Sequence, residues 1–258
     1  MESKRIVVKV GTSTLTYPNG KLHMRRIERL ARTLCELKNA GHEVVLVSSG
    51  AIRAGMGRLS ITEKPHEIRE KQALAAVGQC ELMDLYRKLF AEYGSNVAQI
   101  LITKYIVDDD HGKQNVINTV NTLLDWSVIP IVNENDTISF EEIVIGDNDT
   151  LSAVVATLIE ANLLIILSDI DGLYEENPHE NPDAALIERV EVIDDHIHRI
   201  AGGSDSGVGT GGMTTKITAA EYATANGIDM FIANGQDPAI IFDVIEQKAR
   251  GTLFIGKK

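Results

Sequence analysis

Two lysines stand among apolar or small residues, where a cation could meet a phosphate. Lys9 lies inside the apolar run 5–10, and Lys216 ends the glycine- and threonine-rich run 209–216. Small residues leave backbone N–H groups accessible at the start of a helix, and a lysine adds a point charge. This combination favours the binding of a polyphosphate such as ATP. Thr215 stands where a Walker loop requires glycine, so membership of the P-loop fold is not supported.

Both features also have a plain structural explanation. Lys9 could extend its stem along the edge of a sheet to reach water. The run 209–216 could be a flexible loop that ends in a solvated lysine. An unpaired charge inside a strand is costly, so Lys9 is expected to be paired or to serve a ligand.

Carboxylates and amides crowd the middle of the chain, where Asn133, Asp136, Asn148 and Asp149 occur. An acidic turn or a helix N-cap is the plain explanation, and Asp149 could cap the helix that follows it. Asp136 also suits the ammonium group of an amino-acid substrate. A site that suits both a triphosphate and an amino acid predicts a kinase. If its acceptor is a carboxylate, that group is already ionised at neutral pH, and such a kinase needs no histidine or aspartate as general base.

Repeated strand–helix units must position these groups. Apolar runs predict strands near 5–10, 44–47, 97–102, 128–132, 163–167, 230–233 and 252–255, and helical spacing predicts helices near 27–41, 71–93, 116–126, 151–161, 214–226 and 238–248. A hairpin is predicted at 137–145 and a surface loop at 175–185. The fold class is therefore α/β, with a mostly parallel sheet covered by helices. Ligands bind at the carboxyl ends of such strands, where Ser49 and the other candidates lie.

The composition excludes several classes of function. The chain has 25 Lys and Arg against 37 Asp and Glu, a net charge of −12, which argues against non-specific binding to nucleic acid or anionic membranes. Neither a signal peptide nor an apolar stretch long enough to span a membrane is found, so a cytoplasmic location is expected. Cys35 and Cys80 are expected to be reduced core thiols. The seven histidines match no zinc motif, and no protein metal site is expected.

Several segments together resemble the amino acid kinase family, in particular its members that phosphorylate glutamate. They are VKVGTSTL at 8–15, SSGAIRAG at 48–55, ALAAVGQCELM at 73–83, NENDTIS at 133–139, GDNDTLSA at 146–153, SDIDGLY at 168–174 and GTGGMTTK at 209–216. Ser168 and Ile170 depart from the residues that the family often shows there. The resemblance implies a three-layer α/β/α sandwich with a central, mainly parallel sheet. It also implies a single amino acid kinase domain over 1–258, without the C-terminal PUA domain of many bacterial relatives.

The resemblance further implies an activity, the ATP- and Mg²⁺-dependent phosphorylation of the side-chain carboxylate of L-glutamate in the first step of proline biosynthesis. Lys9 and Lys216 would act on the transferred phosphoryl group, and Asp149 would orient the two lysines. Three residues would bind glutamate, namely Ser49, Asp136 and Asn148. The nucleotide would be bound by Lys9, Ser168, Asp169, Thr210, Gly211, Gly212, Met213, Thr214, Thr215 and Lys216. Feedback inhibition by proline and a homo-oligomeric assembly are also expected.

Two kinds of alternative remain at the sequence level. Other members of the family act on N-acetylglutamate, carbamate, aspartate, uridylate or isopentenyl phosphate. Asp136 argues against acceptors that are N-acetylated or phosphorylated, because these lack a free ammonium group. A non-catalytic regulator with the same fold is the second alternative, and the presence of both Lys9 and Lys216 argues against it. Fold alone does not decide between these functions.

Overall fold

Eight strands form one sheet in the part of the chain that the computed structural model describes, residues 3–17, 19–103, 109–138, 148–178, 180–202 and 212–257. The strands are β1 (Arg5–Val10), β2 (Glu43–Ser48), β3 (Val97–Ile102), β4 (Ile129–Glu134), β5 (Leu163–Ser168), β6 (Arg189–Val190), β7 (Asp229–Asn234) and β8 (Thr252–Phe254). Their order across the sheet is β3-β4-β2-β1-β5-β7-β8-β6. The strands from β3 to β7 in this order are parallel, β8 is antiparallel to β7, and β6 is parallel to β8. The prediction of an α/β fold with a mainly parallel sheet is confirmed.

Helices cover both faces of this sheet. They are α1 (Thr12–Leu15), α2 (Met24–Asn39), α3 (Ala51–Leu59), α4 (Ile68–Glu92), α5 (Asp110–Asp125), α6 (Asn148–Leu158), α7 (Asp195–Gly202), α8 (Met213–Ala225) and α9 (Ile240–Ile245). Successive side chains of a strand point to opposite faces. In β1, Val7 therefore packs with α5, α6 and α8, whereas Ile6 and Val8 pack with α2 and α4. The three-layer arrangement follows from this packing.

Most predicted elements are present. β3 has the predicted bounds, and the strands and helices around the candidate site differ from prediction by a few residues at their ends. Residues 175–185 lie between Tyr174 and Leu186, which form an isolated bridge, and most of them are exposed. The sequence does not predict α1, α3, α7 or β6.

Some predictions need correction or lie outside the described residues. The helix α6 begins at Asn148, so Asp149 lies inside the first turn and does not precede the helix as a cap. Cys35 is buried as expected, but Cys80 is exposed, so the prediction of a core thiol is wrong for Cys80. The predicted hairpin at 137–145 lies largely outside the described residues. No helix among the described residues combines the length and apolar character needed to cross a membrane.

Candidate active site

One buried carboxylate holds both candidate lysines at the carboxyl edge of the sheet. Oδ1 of Asp149 lies 2.5 Å from Nζ of Lys9, and Oδ2 lies 3.2 Å from Nζ of Lys216. Asp149 is fully buried, and the two lysines are 5% and 6% exposed. Each residue comes from a different element, namely α6, β1 and α8. The prediction that Asp149 pairs with both lysines agrees with this geometry.

The local structure explains why these three side chains meet. Lys9 alternates with Val8 along β1 and therefore points to the face that α6 and α8 cover. Thr215, beside Lys216 in the first turn of α8, donates from Oγ1 to Oδ2 of Asp149 over 3.1 Å. The carboxylate of Asp149, on α6, is thus held by side chains of α8 and of the central strand β1.

The charges of this cluster favour an anionic ligand. Burying an ionised group is costly unless an opposite charge compensates it. Here the carboxylate of Asp149 holds two ammonium groups side by side. Two adjacent ammonium groups suit an anionic ligand such as a phosphate.

The start of α8 adds backbone donors to the same region. Gly212 is the N-cap residue, with an extended backbone (φ −74°, ψ −173°), and no side chain among the described residues caps the helix. The first N–H groups of Met213, Thr214 and Thr215 therefore lack a side-chain cap, which is the arrangement that suits a phosphate. The remaining predicted nucleotide contacts in this run, Thr210 and Gly211, lie outside the described residues.

Ser168 is the last residue of β5, the neighbour of β1 in the sheet, and Asp169 follows it. Ser168 is buried, and its Oγ donates to Oδ1 of Asp169 over 3.2 Å. Beside Ser168 in the parallel register lies Asn234, the last residue of β7. Asn234 lines a cavity of about 590 Å³ together with Asp171 and Gln236. Asn234 donates to Asp171 over 2.8 Å, and this hydrogen bond is the main reason why the pKa of Asp171 lies below its ordinary value.

A cluster of amides lies next to the lysine–carboxylate cluster. Nδ2 of Asn148 is 2.9 Å from each of three oxygens, the carbonyl of Ser48, Oγ of Ser49 and Oδ1 of Asn133. Because Asn148 precedes Asp149 in α6, the two clusters share one helical turn. Ser49 is placed by its N–H, which donates to the carbonyl of Val10 over 3.1 Å. The structure therefore brings Ser49 and Asn148 together, as the sequence predicts.

Asp136 lies just beyond β4 and is partly buried. Burial raises the pKa of its carboxyl group to about 6, with a further contribution from the negative charge of Glu134. A cationic partner stabilises the ionised carboxylate of Asp136, because the partner's charge offsets both the cost of burial and the repulsion from Glu134. No hydrogen bond within the described residues joins Asp136 to Ser49 or Asn148, so the predicted grouping of these three residues is not shown by direct contact.

Sequence reasoning missed two polar residues of α4 that contact the amide cluster. Gln79 accepts a hydrogen bond from Nδ2 of Asn133 over 2.9 Å, and the hydroxyl of Tyr86 lies 2.9 Å from Oγ of Ser48. The sequence signal that could have identified them is their spacing, because residues seven apart lie on one face of a helix. A glutamine on the same face as a fully buried Tyr86 indicates a polar partner inside the fold.

Comparisons with known proteins find relatives that match nearly the whole chain. The model of the amino acid kinase family matches residues 4–234. Glutamate 5-kinase of Clostridium perfringens is 54% identical over all of this chain and 97% of its own length, and that of Clostridium acetobutylicum is 55% identical over 98% and 95%.

Solved structures show the same fold at much lower identity. A carbamate kinase from Giardia lamblia bound to AMP-PNP superposes with a TM-score of 0.69 at 17% identity, covering 99% of both chains. An isopentenyl phosphate kinase of T. acidophilum superposes with a TM-score of 0.68, also at 17% identity, covering 97% of this chain and 99% of the other. Together with the curated relatives and the family model, these likenesses show that the chain belongs to the amino acid kinase family.

Proposed function

We propose that this protein transfers the terminal phosphoryl group of ATP to the side-chain carboxylate of L-glutamate. The product is L-glutamyl 5-phosphate, formed in the first step of proline biosynthesis. One observation carries the proposal: Asp149 holds Lys9 and Lys216 directly beside the Ser49–Asn148 amide cluster. The near-full-length similarity to curated glutamate 5-kinases supports the choice of acceptor.

The two lysines act on the phosphate side of the reaction. Charge spreads over the oxygens of the phosphoryl group as it moves, and preorganised cations stabilise that charge. Asp149 keeps both ammonium groups in place, so little reorganisation is needed when the substrates bind. The uncapped start of α8 and the Ser168–Asp169 turn bind other parts of the nucleotide.

The acceptor side requires no general base. A carboxylate is ionised at neutral pH, so its oxygen attacks the terminal phosphorus directly. The bond to the leaving oxygen of ADP breaks while the new oxygen–phosphorus bond forms. Asp136 binds the ammonium group of glutamate, since its buried carboxylate is stabilised by a cation.

Mg²⁺ would fit this site as a companion of the nucleotide. Mg²⁺ prefers oxygen ligands and is commonly bound by substrate phosphates plus one or two carboxylates. Both oxygens of Asp149 already face lysines. Among the described residues, no group of three or more His, Cys, Asp and Glu side chains could hold a metal. When bound, Mg²⁺ would neutralise phosphate charge, and the phosphates would supply most of its ligands.

We further propose that free proline competes with glutamate. Proline carries the same α-carboxylate and a cationic amine, so groups that bind those features of glutamate, Asp136 among them, accept either molecule. It lacks the side-chain carboxylate and cannot receive a phosphoryl group. Homo-oligomeric assembly and a cytoplasmic location stay predictions of the sequence.

The test measures ADP release with a panel of acceptors: glutamate, N-acetylglutamate, aspartate and uridylate. Hydroxylamine should accompany the assay, because it traps the labile acyl phosphate as a hydroxamate. We expect glutamate alone to give rapid ADP release and a hydroxamate, and proline at low glutamate to slow both. A preference for N-acetylglutamate or uridylate would overturn the assignment of the acceptor.

A further inference from the structure

Two backbone groups fix which way the amides of the site point. Nδ2 of Asn148 lies 2.9 Å from the carbonyl of Ser48, which can only accept a hydrogen bond, so the nitrogen of Asn148 must face it. The N–H of Glu134 can only donate, and it lies 2.9 Å from Oδ1 of Asn133. The oxygen of Asn133 must therefore face that N–H, and the nitrogen must face the other way.

The orientation of Gln79 follows from these two anchors. Nδ2 of Asn133 points at Gln79, so Gln79 must present its oxygen, Oε1, which lies 2.9 Å away. Nε2 of Gln79 is consequently turned away from Asn133, and it makes no hydrogen bond within the described part of the chain. The row Asn148, Asn133, Gln79 thus has a fixed direction and ends in two N–H donors.

Close packing holds Gln79 at this place. A Cβ atom at Gly78 would lie 1.8 Å from the carbonyl of Ala51, so only glycine lets α4 approach the start of α3 this closely. Tyr86, seven residues after Gln79, has its hydroxyl 2.9 Å from Oγ of Ser48. The face of α4 that carries Gln79 is therefore fixed against the carboxyl ends of β2 and β4.

The row of amides runs away from the reacting end of the site. Asn148 is adjacent to Asp149, which holds the lysines that act on the phosphoryl group. Gln79 lies at the opposite end, bonded to Asn133 in the strand that leads to Asp136. Gln79 is therefore separated from Asp149 by Asn148 and Asn133, and it contacts the strand that leads to Asp136.

We propose that Gln79 is a specificity residue that donates from Nε2 to the α-carboxylate of glutamate. The inference rests on the proposed function and adds a residue to its substrate site. The α-carboxylate adjoins the ammonium group that Asp136 binds, and an amide N–H is a suitable donor to a carboxylate. Gln79 would thus select acceptors that carry a free carboxylate at the α-carbon.

The variant Gln79→Glu separates this role from a structural one. The substituted side chain still accepts the hydrogen bond from Asn133. Its carboxylate places a negative charge where the Nε2 donor of Gln79 stood. We expect KM for glutamate to rise about 10- to 100-fold, the usual loss for a charge-assisted hydrogen bond, with KM for ATP nearly unchanged. If Gln79 only supports Asn133, KM for glutamate stays at the wild-type value, which would overturn the proposal. Gln114→Glu, in the exposed first turns of α5, is the matched control for the added charge.

A second measurement identifies the substrate group. The α-amide of glutamate keeps the acceptor carboxylate but has a neutral group at the α-carbon. We expect the wild-type enzyme to use it far less efficiently than glutamate and the Gln79→Glu variant to lose most of that preference, since interacting groups show non-additive effects. An unchanged preference in the variant would rule out the α-carboxylate as the partner of Gln79. Hydroxamate formation by the wild-type enzyme with glutamate tests the proposed function separately, so either idea can fail alone.

Discussion

Asp149 is a fully buried carboxylate that compensates the charges of two buried ammonium groups. Pairing makes the three charges tolerable, but a buried ion pair is weak evidence of a net gain in stability. This cost is consistent with the proposed role of the cluster in binding an anion.

Removing the negative charge from this cluster should damage both stability and catalysis. In Asp149→Asn, Lys9 and Lys216 lose the carboxylate of Asp149, which should lower the free energy of unfolding by about 3–5 kcal/mol. We expect kcat to fall at least ~10²-fold. Lys216→Met should lower kcat to a similar degree, because it removes a cation from the moving phosphoryl group. Urea unfolding and steady-state kinetics measure the two effects, and Lys88→Met, at an exposed position of α4, is the control.

A folded Asp149→Asn enzyme with normal turnover would contradict the role of this cluster. So would a Lys216→Met variant whose kcat is close to that of Lys88→Met.

The carboxyl group of Asp136 should make glutamate binding depend on pH. Its pKa is raised to about 6, so it is ionised at neutral pH and becomes protonated as the pH falls. Only the ionised form attracts an ammonium group, and we expect KM for glutamate to rise roughly tenfold from about pH 7.5 to about pH 5.

The stability of the free protein should increase as the pH falls, while glutamate binding weakens. The folded state binds this proton more tightly than the unfolded state, so folding is favoured as the pH falls through about 6.

Asp136→Asn removes the titrating group and is the control for both effects. It should raise KM for glutamate at neutral pH and flatten its pH dependence, while KM for ATP changes little. A pH profile in Asp136→Asn that matches the wild type would assign the titration to another group.

At the scale of elements, the contact between α3 and α4 determines the shape of the acceptor side. Gly55 of α3 and Gly78 of α4 pack backbone against backbone, and a Cβ at Gly55 would lie 2.0 Å from the carbonyl of Leu74. This contact holds α4 close enough for Gln79 and Tyr86 to reach the ends of β4 and β2. The two glycines therefore serve the site without contacting a ligand.

Adding a methyl group at this contact should be costly. Gly78→Ala must push α3 and α4 apart, and we expect it to lower the free energy of unfolding by about 1–3 kcal/mol or more. Because the shift moves Gln79, KM for glutamate should rise more than KM for ATP. Gly202→Ala is the matched control, since a Cβ at Gly202 meets no described atom within 4 Å and alanine favours the helix. Equal stability of the two variants in urea would show that the α3–α4 contact can relax at little cost.

At the scale of the whole molecule, the sequence predicts the fold well where burial is two-sided. β1, β2 and β5 are almost uninterrupted apolar runs because helices cover both of their faces. In contrast, α3 is not predicted because Gly55 and Gly57 lower its helix propensity, although close packing requires glycine there. The two residues of β6 are too few to show a period.

The residues of the candidate site likewise differ in how far the sequence alone identifies them. Lys9 can be identified from sequence because a charge inside an apolar strand needs an explanation. Its partner, Asp149, is identified only through the resemblance to the family, because Asp149 is distant in sequence and is brought near by the packing of α6 on β1. Gln79 could not be found in this way either, since its role depends on the orientation of amides that two backbone groups determine.

The position of β1 between β2 and β5 also governs the order in which the enzyme can be built during synthesis. β1 leaves the ribosome first, but one of its two edges is completed only when β5 has been translated. Until then an apolar strand has an unpaired edge, which is the usual starting point for association with another chain. Asp149 can likewise compensate the charge of Lys9 only after Asp149 has been translated. Pairings this distant in sequence slow folding, and they extend the time during which this edge of β1 stays unpaired.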